Sequence, residues 1–131
     1  MPGHGTRSSY QTAKCRCADC RAWNAASMRA WRERNSDHAR QYKRGWDRAL
    51  RREVLDHYGG VCVCCGETQL AFLSLDHKNG GGTRHRRELG LRGSGVWAWA
   101  KREGFPDMFQ VMCHNCNQAK GYYGHCPHED L

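Results

Sequence analysis

Residues 62–77 read CVCCGETQLAFLSLDH, and residues 113–120 read CHNCNQAK. Each stretch contains one C-x-x-C pair, and the four cysteines are Cys62, Cys65, Cys113 and Cys116. Two such pairs are typical of a tetrahedral zinc site, because four thiolates saturate the coordination sphere of the ion and leave no open position. The sequence therefore predicts one structural zinc at these four residues. Redox pairs or disulfides are the alternative interpretation.

The segment after the first pair predicts a strand that ends in two polar residues. The apolar run LAFLSL at 70–75 fits a short buried strand, and Asp76 and His77 follow it directly. The next five residues, KNGGG at 78–82, are too rich in glycine for a regular element. We therefore expect Asp76 and His77 at the point where a strand enters a loop.

Three further elements are expected before the chain ends. A short helix over 95–103 would bury Trp97 or Trp99, and residues 109–112 can form a second strand. Residues 113–120 have the composition of a helix, which we expect Gly121 to close. The order is thus knuckle, strand, Asp-His, loop, strand, knuckle and helix.

The segment 21–58 is predicted to be helical, because it lacks proline and contains only one glycine, Gly45. Four apolar residues recur in it every four positions: Trp46, Leu50, Val54 and Tyr58. The same segment is rich in basic residues, including Arg29, Arg32, Arg34, Arg40, Lys43 and Arg44. It is interpreted as a helical arm that contacts DNA, and a solvated helix face is the alternative.

The N-terminal region carries three more thiols, Cys15, Cys17 and Cys20. One further ligand would complete a second structural zinc site, and His4 is preferred to His38 for that place. Unliganded surface thiols are the alternative. Near the other end, Cys126 and His128 either add a metal ligand or cover the last helix.

The charge of the chain favours a polyanionic partner. The 131 residues have a formal net charge of +8 and an isoelectric point near 9.2, and the planar guanidinium of arginine binds phosphate through two hydrogen bonds. A basic surface that is simply solvated is the alternative. No apolar run approaches the roughly 20 residues of a membrane helix, and no signal peptide is recognised at the N-terminus. A cytoplasmic protein without membrane contact is expected.

Residues 55–128 together resemble the HNH or His-Me finger nucleases, and the recombination endonuclease VII branch in particular. The resemblance rests on the C-x-x-C pair at 62–65, on the run Leu75-Asp76-His77, and on CHNCN at 113–117 with Lys120. Each motif alone is common. Their combination in this order is specific.

The resemblance implies a small, zinc-stabilised ββα-metal domain of the α+β class that hydrolyses DNA to 5′-phosphate and 3′-hydroxyl ends. His77 would be the general base, since an imidazole titrates near neutral pH. Asp76 and Asn117 would hold a catalytic divalent cation, either Mg or Mn, with Ni, Co or Zn as alternatives. Small nucleases of this kind are typical of phages, so phage packaging or recombination machinery in the host cytoplasm is a candidate partner.

The chain departs from the family pattern at one position. The middle asparagine of the HNH motif, which braces the loop, should lie about five residues before Cys113, where Met108 stands. Asn79 or His85 is a candidate replacement. The basic residues beside the expected active site are candidates for binding DNA phosphates: Arg84, His85, Arg86, Arg87 and Lys120.

These interpretations divide the chain into three parts. Residues 1–20 form the cysteine-rich segment, 21–58 the basic helical arm, and 59–131 the nuclease domain. Two other functions remain alternatives. A zinc-stabilised nucleic-acid-binding module without catalysis would account for Met108 and the basic helix. A redox or zinc-storage protein would account for the cysteines but not for Asp76 and His77.

Overall fold

The computed structural model describes residues 3–131. Within this range the protein contains five α-helices and one antiparallel sheet of two strands, which confirms the α+β class. The chain divides into two compact units between Arg44 and Gly45. No helix among residues 3–131 is long and apolar enough to cross a membrane.

Two helices occupy the segment that was predicted to be helical. Helix α1 spans Ala18–Arg34 and helix α2 spans Ser36–His57. Asn35 separates them, and both its backbone N–H and its side-chain amide donate to the carbonyl of Trp31. Because the side chain of asparagine competes with the backbone for such carbonyls, this residue ends α1.

The end of α2 contributes to the core of the second unit. Leu50 and Val54 are buried as the four-residue spacing predicts, and Tyr58 is half-buried. Trp46, the first member of the spacing, is 51% exposed. Gly59 follows the helix with a φ of +100°, a conformation that favours glycine.

The sheet pairs strand β1, Leu73–His77, with strand β2, Phe109–Cys113. Strand β1 begins later than the apolar run predicts, because Leu70–Phe72 forms a 3₁₀ turn. In the antiparallel register Asp76 lies opposite Gln110. Every residue of β1 is buried, so Asp76 and His77 both lie within the fold.

Two short helices lie between the strands. Helix α3, Gly82–Glu88, begins inside the segment that was expected to be an irregular loop and includes the basic residues after it. Helix α4, Gly95–Arg102, coincides with the predicted helix. Trp97 of α4 is buried, and the guanidinium of Arg51 lies 4.7 Å above its ring.

Helix α5 follows β2 directly and spans His114–Tyr123. The expected end at Gly121 is wrong. The last helical residue is Tyr123, and Gly124 follows it with a left-handed φ of +82°. The N–H of Gly124 donates to the carbonyl of Lys120. A 3₁₀ turn, Pro127–Asp130, completes the chain.

Candidate functional site

The four cysteines of the two C-x-x-C pairs come together in the second unit. Their Sγ atoms all lie within 4.8 Å of one another, and those of Cys65 and Cys113 are 3.7 Å apart. Two thiolates on one tetrahedral zinc are separated by about 3.8 Å, because each Zn–S bond is about 2.3 Å long. This group, here named the knuckle cluster, could hold a structural zinc. Its members are Cys62, Cys65, Cys113 and Cys116.

Local backbone geometry positions the thiols of the knuckle cluster. Gly66 closes the first turn by donating its N–H to the carbonyl of Cys62, and its φ of +80° suits glycine. Cys113 is the last residue of β2 and caps α5, since its Sγ accepts the N–H of Cys116. Backbone pairing of Val63 with Val111 joins the turn to β2.

A second group of possible ligands lies in the N-terminal unit. The Nδ1 atom of His4 is 3.5 Å from the Sγ atom of Cys15, 3.3 Å from that of Cys17 and 4.0 Å from that of Cys20. His38, the other candidate ligand, packs edge-on against Trp31 instead. His4, Cys15, Cys17 and Cys20 therefore form the N-terminal cluster, which could hold a metal ion.

The surroundings of Cys20 stabilise the negatively charged thiolate form of its side chain. A hydrogen bond with the hydroxyl of Ser9 and, next, one from the N–H of Gly5 lower the pKa of Cys20 to about 6. Both groups stabilise the thiolate. Zinc binds the thiolate form of cysteine, so these hydrogen bonds favour metal binding at the N-terminal cluster.

The end of the chain forms a third cluster with a residue of the first C-x-x-C segment. The Nδ1 atom of His128 lies 3.7 Å from the Sγ atom of Cys64, and 3.4 Å from those of Cys116 and Cys126. These four residues are here named the tail cluster, which could also hold a metal ion. Cys126 and His128 thus lie at a potential metal site, and Cys64 is a ligand candidate that the sequence motifs did not indicate.

The carboxylate of Asp76 is held from two sides. Gln110 donates its side-chain amide to Oδ2 at 2.8 Å, and the ammonium of Lys120 lies 2.5 Å from the same oxygen. The ammonium also donates to the backbone carbonyls of His77 and Lys78. Lys120 is therefore bound at the end of β1, rather than directed into solvent.

Asn117 faces the same side of β1 as Lys120, from which it is separated by nearly one helical turn. Its side-chain nitrogen donates to the hydroxyl of Ser74 at 3.0 Å, and that hydroxyl donates to the carbonyl of Met112. Ser74 and Asp76 point to one face of the strand, because side chains alternate along it. Asp76 and Asn117 thus both lie on the side of β1 that faces α5, and each side chain carries an oxygen. Oxygen donors of this kind fit a hard divalent cation.

His77 points to the opposite face of β1. Its ring is 8% exposed, lies 4.7 Å from the ring of Phe109, and places Nε2 at 2.9 Å from Nδ1 of His85. Burial, followed by the charge of His85, lowers the pKa of His77 below its ordinary value of 6.5. At neutral pH the imidazole is therefore uncharged and able to accept a proton.

The backbone approaches the ring of His77 closely at Gly82. A side-chain Cβ on that residue would lie 2.8 Å from Nδ1 and 3.2 Å from Cε1 of His77. Glycine is therefore required at this position if the ring is to keep its place. The glycine therefore lets the backbone pack directly against the Nδ1 side of the candidate base.

The turn after β1 is braced by the backbone at the position of Met108. The N–H of Lys78 donates to the carbonyl of Met108 at 3.0 Å, and the ammonium of Lys78 pairs with Asp107 at 2.6 Å. These contacts join the end of β1 to the start of β2, at the position where the HNH motif has its middle asparagine. His85 packs against Trp99 and contacts His77, so its position is next to the candidate base.

The arginines that were expected to bind phosphate lie on α3 and are exposed: Arg84, Arg86 and Arg87. Arg84 pairs with Glu88 one turn further along at 3.5 Å. The basic side chains of the helical arm are exposed as well, and Arg40 pairs with Asp37. Surface ion pairs of this kind are weak, so they do not prevent the exposed arginines from contacting a polyanion.

Neither a protein-family model, nor a curated protein, nor a solved structure matches this chain.

Three residues of the candidate site were missed by the motifs: Cys64, Ser74 and Gln110. Ser74 precedes Asp76 by two positions, so the period of a strand could have placed it on the same face. Gln110 pairs with Asp76 only through the register of the sheet. Cys64 lies between Cys62 and Cys65, and the spacing of that pair does not indicate that Cys64 belongs to a different cluster.

Proposed function

We propose that this chain is a metal-dependent DNA endonuclease of the HNH type, with His77 as the general base. One observation carries the proposal: Asp76 and His77 are neighbours at the end of β1 and face opposite sides of it, each with its own partners. Phosphodiester hydrolysis needs a base for the water on one side of the phosphorus. It needs stabilisation of the leaving oxygen on the other side, because the displacement is in line. Two adjacent residues at the end of a strand offer these two groups on one short segment, which supports the proposal.

His77 accepts the proton of the attacking water. Its buried imidazole is neutral at neutral pH, and its hydrogen bond with His85 limits the orientations of the ring. Gly82 has no side chain that would displace the ring from this position. The water oxygen forms a bond to phosphorus as its proton passes to His77, the bond from phosphorus to the 3′ oxygen breaks, and that oxygen takes up a proton from solvent water. The products carry 5′-phosphate and 3′-hydroxyl ends.

Asp76 and Asn117 are the residues that would hold the catalytic divalent cation, either Mg or Mn. When bound there, the cation would stabilise the charge on the phosphate and on the leaving oxygen. Lys120 adds a fixed positive charge beside Asp76. Gln110 orients the carboxylate by its hydrogen bond to Oδ2.

The basic surface supports DNA as the substrate. Arg84, Arg86 and Arg87 are exposed on α3, which begins five residues after His77. With a net charge of +8, the chain attracts nucleic acid without regard to sequence. The zinc of the knuckle cluster would be structural and would hold the turn at 62–65 against the start of α5.

A zinc-stabilised nucleic-acid-binding module without catalysis is the second candidate. The Asp76 carboxylate favours it, because Lys120 and Gln110 already engage Oδ2 and Lys120 neutralises the charge that a cation would otherwise meet. In this function the ion pair between Asp76 and Lys120 would only stabilise the fold.

Incubation of the purified chain with supercoiled plasmid, with and without Mg²⁺ or Mn²⁺, distinguishes the two functions. We expect metal-dependent nicking or linearisation that disappears in His77→Ala while the zinc content stays unchanged. His114→Ala, which alters an exposed histidine on α5, is the matched control and should cut normally. If the folded wild type binds DNA but does not cut it in the presence of any divalent ion, the nuclease is excluded and the binding module is favoured.

A further inference from the structure

Cys116 belongs to two potential metal sites at once. Its Sγ lies within 4.8 Å of the other three ligand atoms of the knuckle cluster and of the other three of the tail cluster. The residue is fully buried in the first turn of α5. We propose that its thiolate bridges two zinc ions, so that the two clusters form one binuclear centre.

The number of ligands supports a bridge. All nine cysteines of the chain, together with His4 and His128, belong to the three clusters. Three tetrahedral ions need about twelve ligands, whereas these eleven residues supply only eleven if each binds a single ion. The deficit disappears if one thiolate serves two ions, and Cys116 is the one residue that two of the clusters share. A thiolate sulfur has enough lone pairs to bind two metals.

The backbone of the first turn directs its thiols to two sides. Cys62 and Cys65 join Cys113, whereas Cys64, which lies between them in the sequence, joins Cys126 and His128. The distances from His128 Nδ1 to the sulfurs of its cluster are 3.4 to 3.7 Å. A tetrahedral zinc with one nitrogen ligand requires about 3.6 Å between nitrogen and sulfur. Both halves therefore have suitable dimensions.

The second ion would attach the end of the chain to the nuclease core. Gly124 turns the chain back after α5 through its left-handed backbone. Cys126 then lies fully buried against the start of the same helix, while Glu129 caps its backbone N–H. A short polar segment buries too little apolar surface to stay ordered by itself, so a metal is the physical means of fixing it.

The donor set selects the metal. Six thiolates and one imidazole are soft ligands, which favour zinc over magnesium or calcium. Each ion would have four protein ligands and no open position, so the centre is structural. This inference is independent of the proposed nuclease activity, because none of its residues takes part in catalysis.

The test counts and connects the metals in the full-length chain. Native mass spectrometry should find three zinc ions per chain, one from the N-terminal cluster and two from the binuclear centre. After replacement by cadmium-113, NMR should show three resonances. Two of them should be split by mutual coupling through the shared sulfur, and the third should be unsplit. Three unsplit resonances, or two zinc ions per chain without a split pair of cadmium resonances, would overturn the proposal.

Variants of the tail locate the second ion. His128→Ala should reduce the count from three zinc ions to two and abolish the cadmium–cadmium splitting. His125→Ala is the matched control, since this neighbouring histidine pairs with Asp130 at the surface and belongs to none of the three clusters. It should keep three ions and the splitting. If Cys64→Ser and His128→Ala each keep three zinc ions and the cadmium–cadmium splitting, the assignment of these two residues as ligands is overturned.

Discussion

The Nε2 atom of His77 lies 2.9 Å from the Nδ1 atom of His85, and the ring of Phe109 contacts both imidazoles. One histidine comes from the end of β1 and the other from α3, eight residues later in the chain. The hydrogen bond limits rotation of the candidate base, and the aromatic packing keeps it largely dry. His85 is therefore a positioning residue for His77.

His85→Ala should slow DNA cleavage by about two- to tenfold, which corresponds to the net worth of one hydrogen bond. His77→Ala should reduce the rate by about 10²- to 10⁴-fold, because a general base is lost. Single-turnover cleavage at saturating DNA measures both variants. An unchanged rate constant in His85→Ala, with weaker DNA binding alone, would show that His85 contacts DNA rather than orienting the base.

Gly82→Ala should impair cleavage because its new methyl group would lie 2.8 Å from Nδ1 of His77 and displace the ring. The zinc content should not change. Gly45→Ala is the control, since it adds the same methyl group in the middle of α2 with no atom within 4 Å. Normal cleavage by Gly82→Ala would mean that the ring of His77 has no fixed position during the reaction.

Arg86→Ala should weaken DNA binding to a similar extent for all sequences. Removal of one phosphate contact lowers the slope of log K against log salt by about 0.9. Fluorescence anisotropy at several salt concentrations gives this slope. Glu88→Ala, a change on the same helix that removes negative charge, should not weaken binding. Loss of affinity at one DNA sequence only would indicate a base contact instead.

Lys120→Met should destabilise the fold by about 2–4 kcal/mol. The upper part of this range is typical for breaking a buried ion pair, and the partial exposure of Lys120 reduces the loss. Asp76→Asn combined with Lys120→Met should restore part of the stability, because no unpaired carboxylate then remains. Thermal unfolding of the zinc-loaded variants measures the coupling. Strictly additive effects of the two changes would exclude a stabilising pair.

Phe109→Ala should lower the free energy of unfolding by about 3–5 kcal/mol, since it removes a fully buried ring from the core. Phe72→Ala is the matched control. That ring is 56% exposed, so its loss should cost about 0.5 kcal/mol or little more. Chemical denaturation with zinc present at constant concentration compares the two. Equal losses would mean that the core does not depend on Phe109.

Several elements could be predicted from local pattern alone. Helix α4 has an amphipathic sequence bounded by glycines, and β2 is a short apolar run; the apolar run at 70–75 located β1 but not its first residue. The four thiols of the knuckle cluster were identified by their spacing, because a C-x-x-C turn brings two sulfurs together wherever it folds. Helix α3 was missed because Gly80 and Gly81 precede it and Gly82 is its first residue, and these glycines act as its N-terminal turn rather than as a flexible loop.

The sequence by itself determined most of the helical and strand segments, the net charge, and the chemistry available at Asp76 and His77, because these depend on residue type and on near neighbours. Only the tertiary structure decided which distant residues meet. The pairing of Asp76 with Lys120 requires α5 to pack on β1, and the contact of Cys64 with His128 requires the end of the chain to fold back on the first turn. Contacts across 44 and 64 residues have no local signature. They arise when burial of the core brings the elements together.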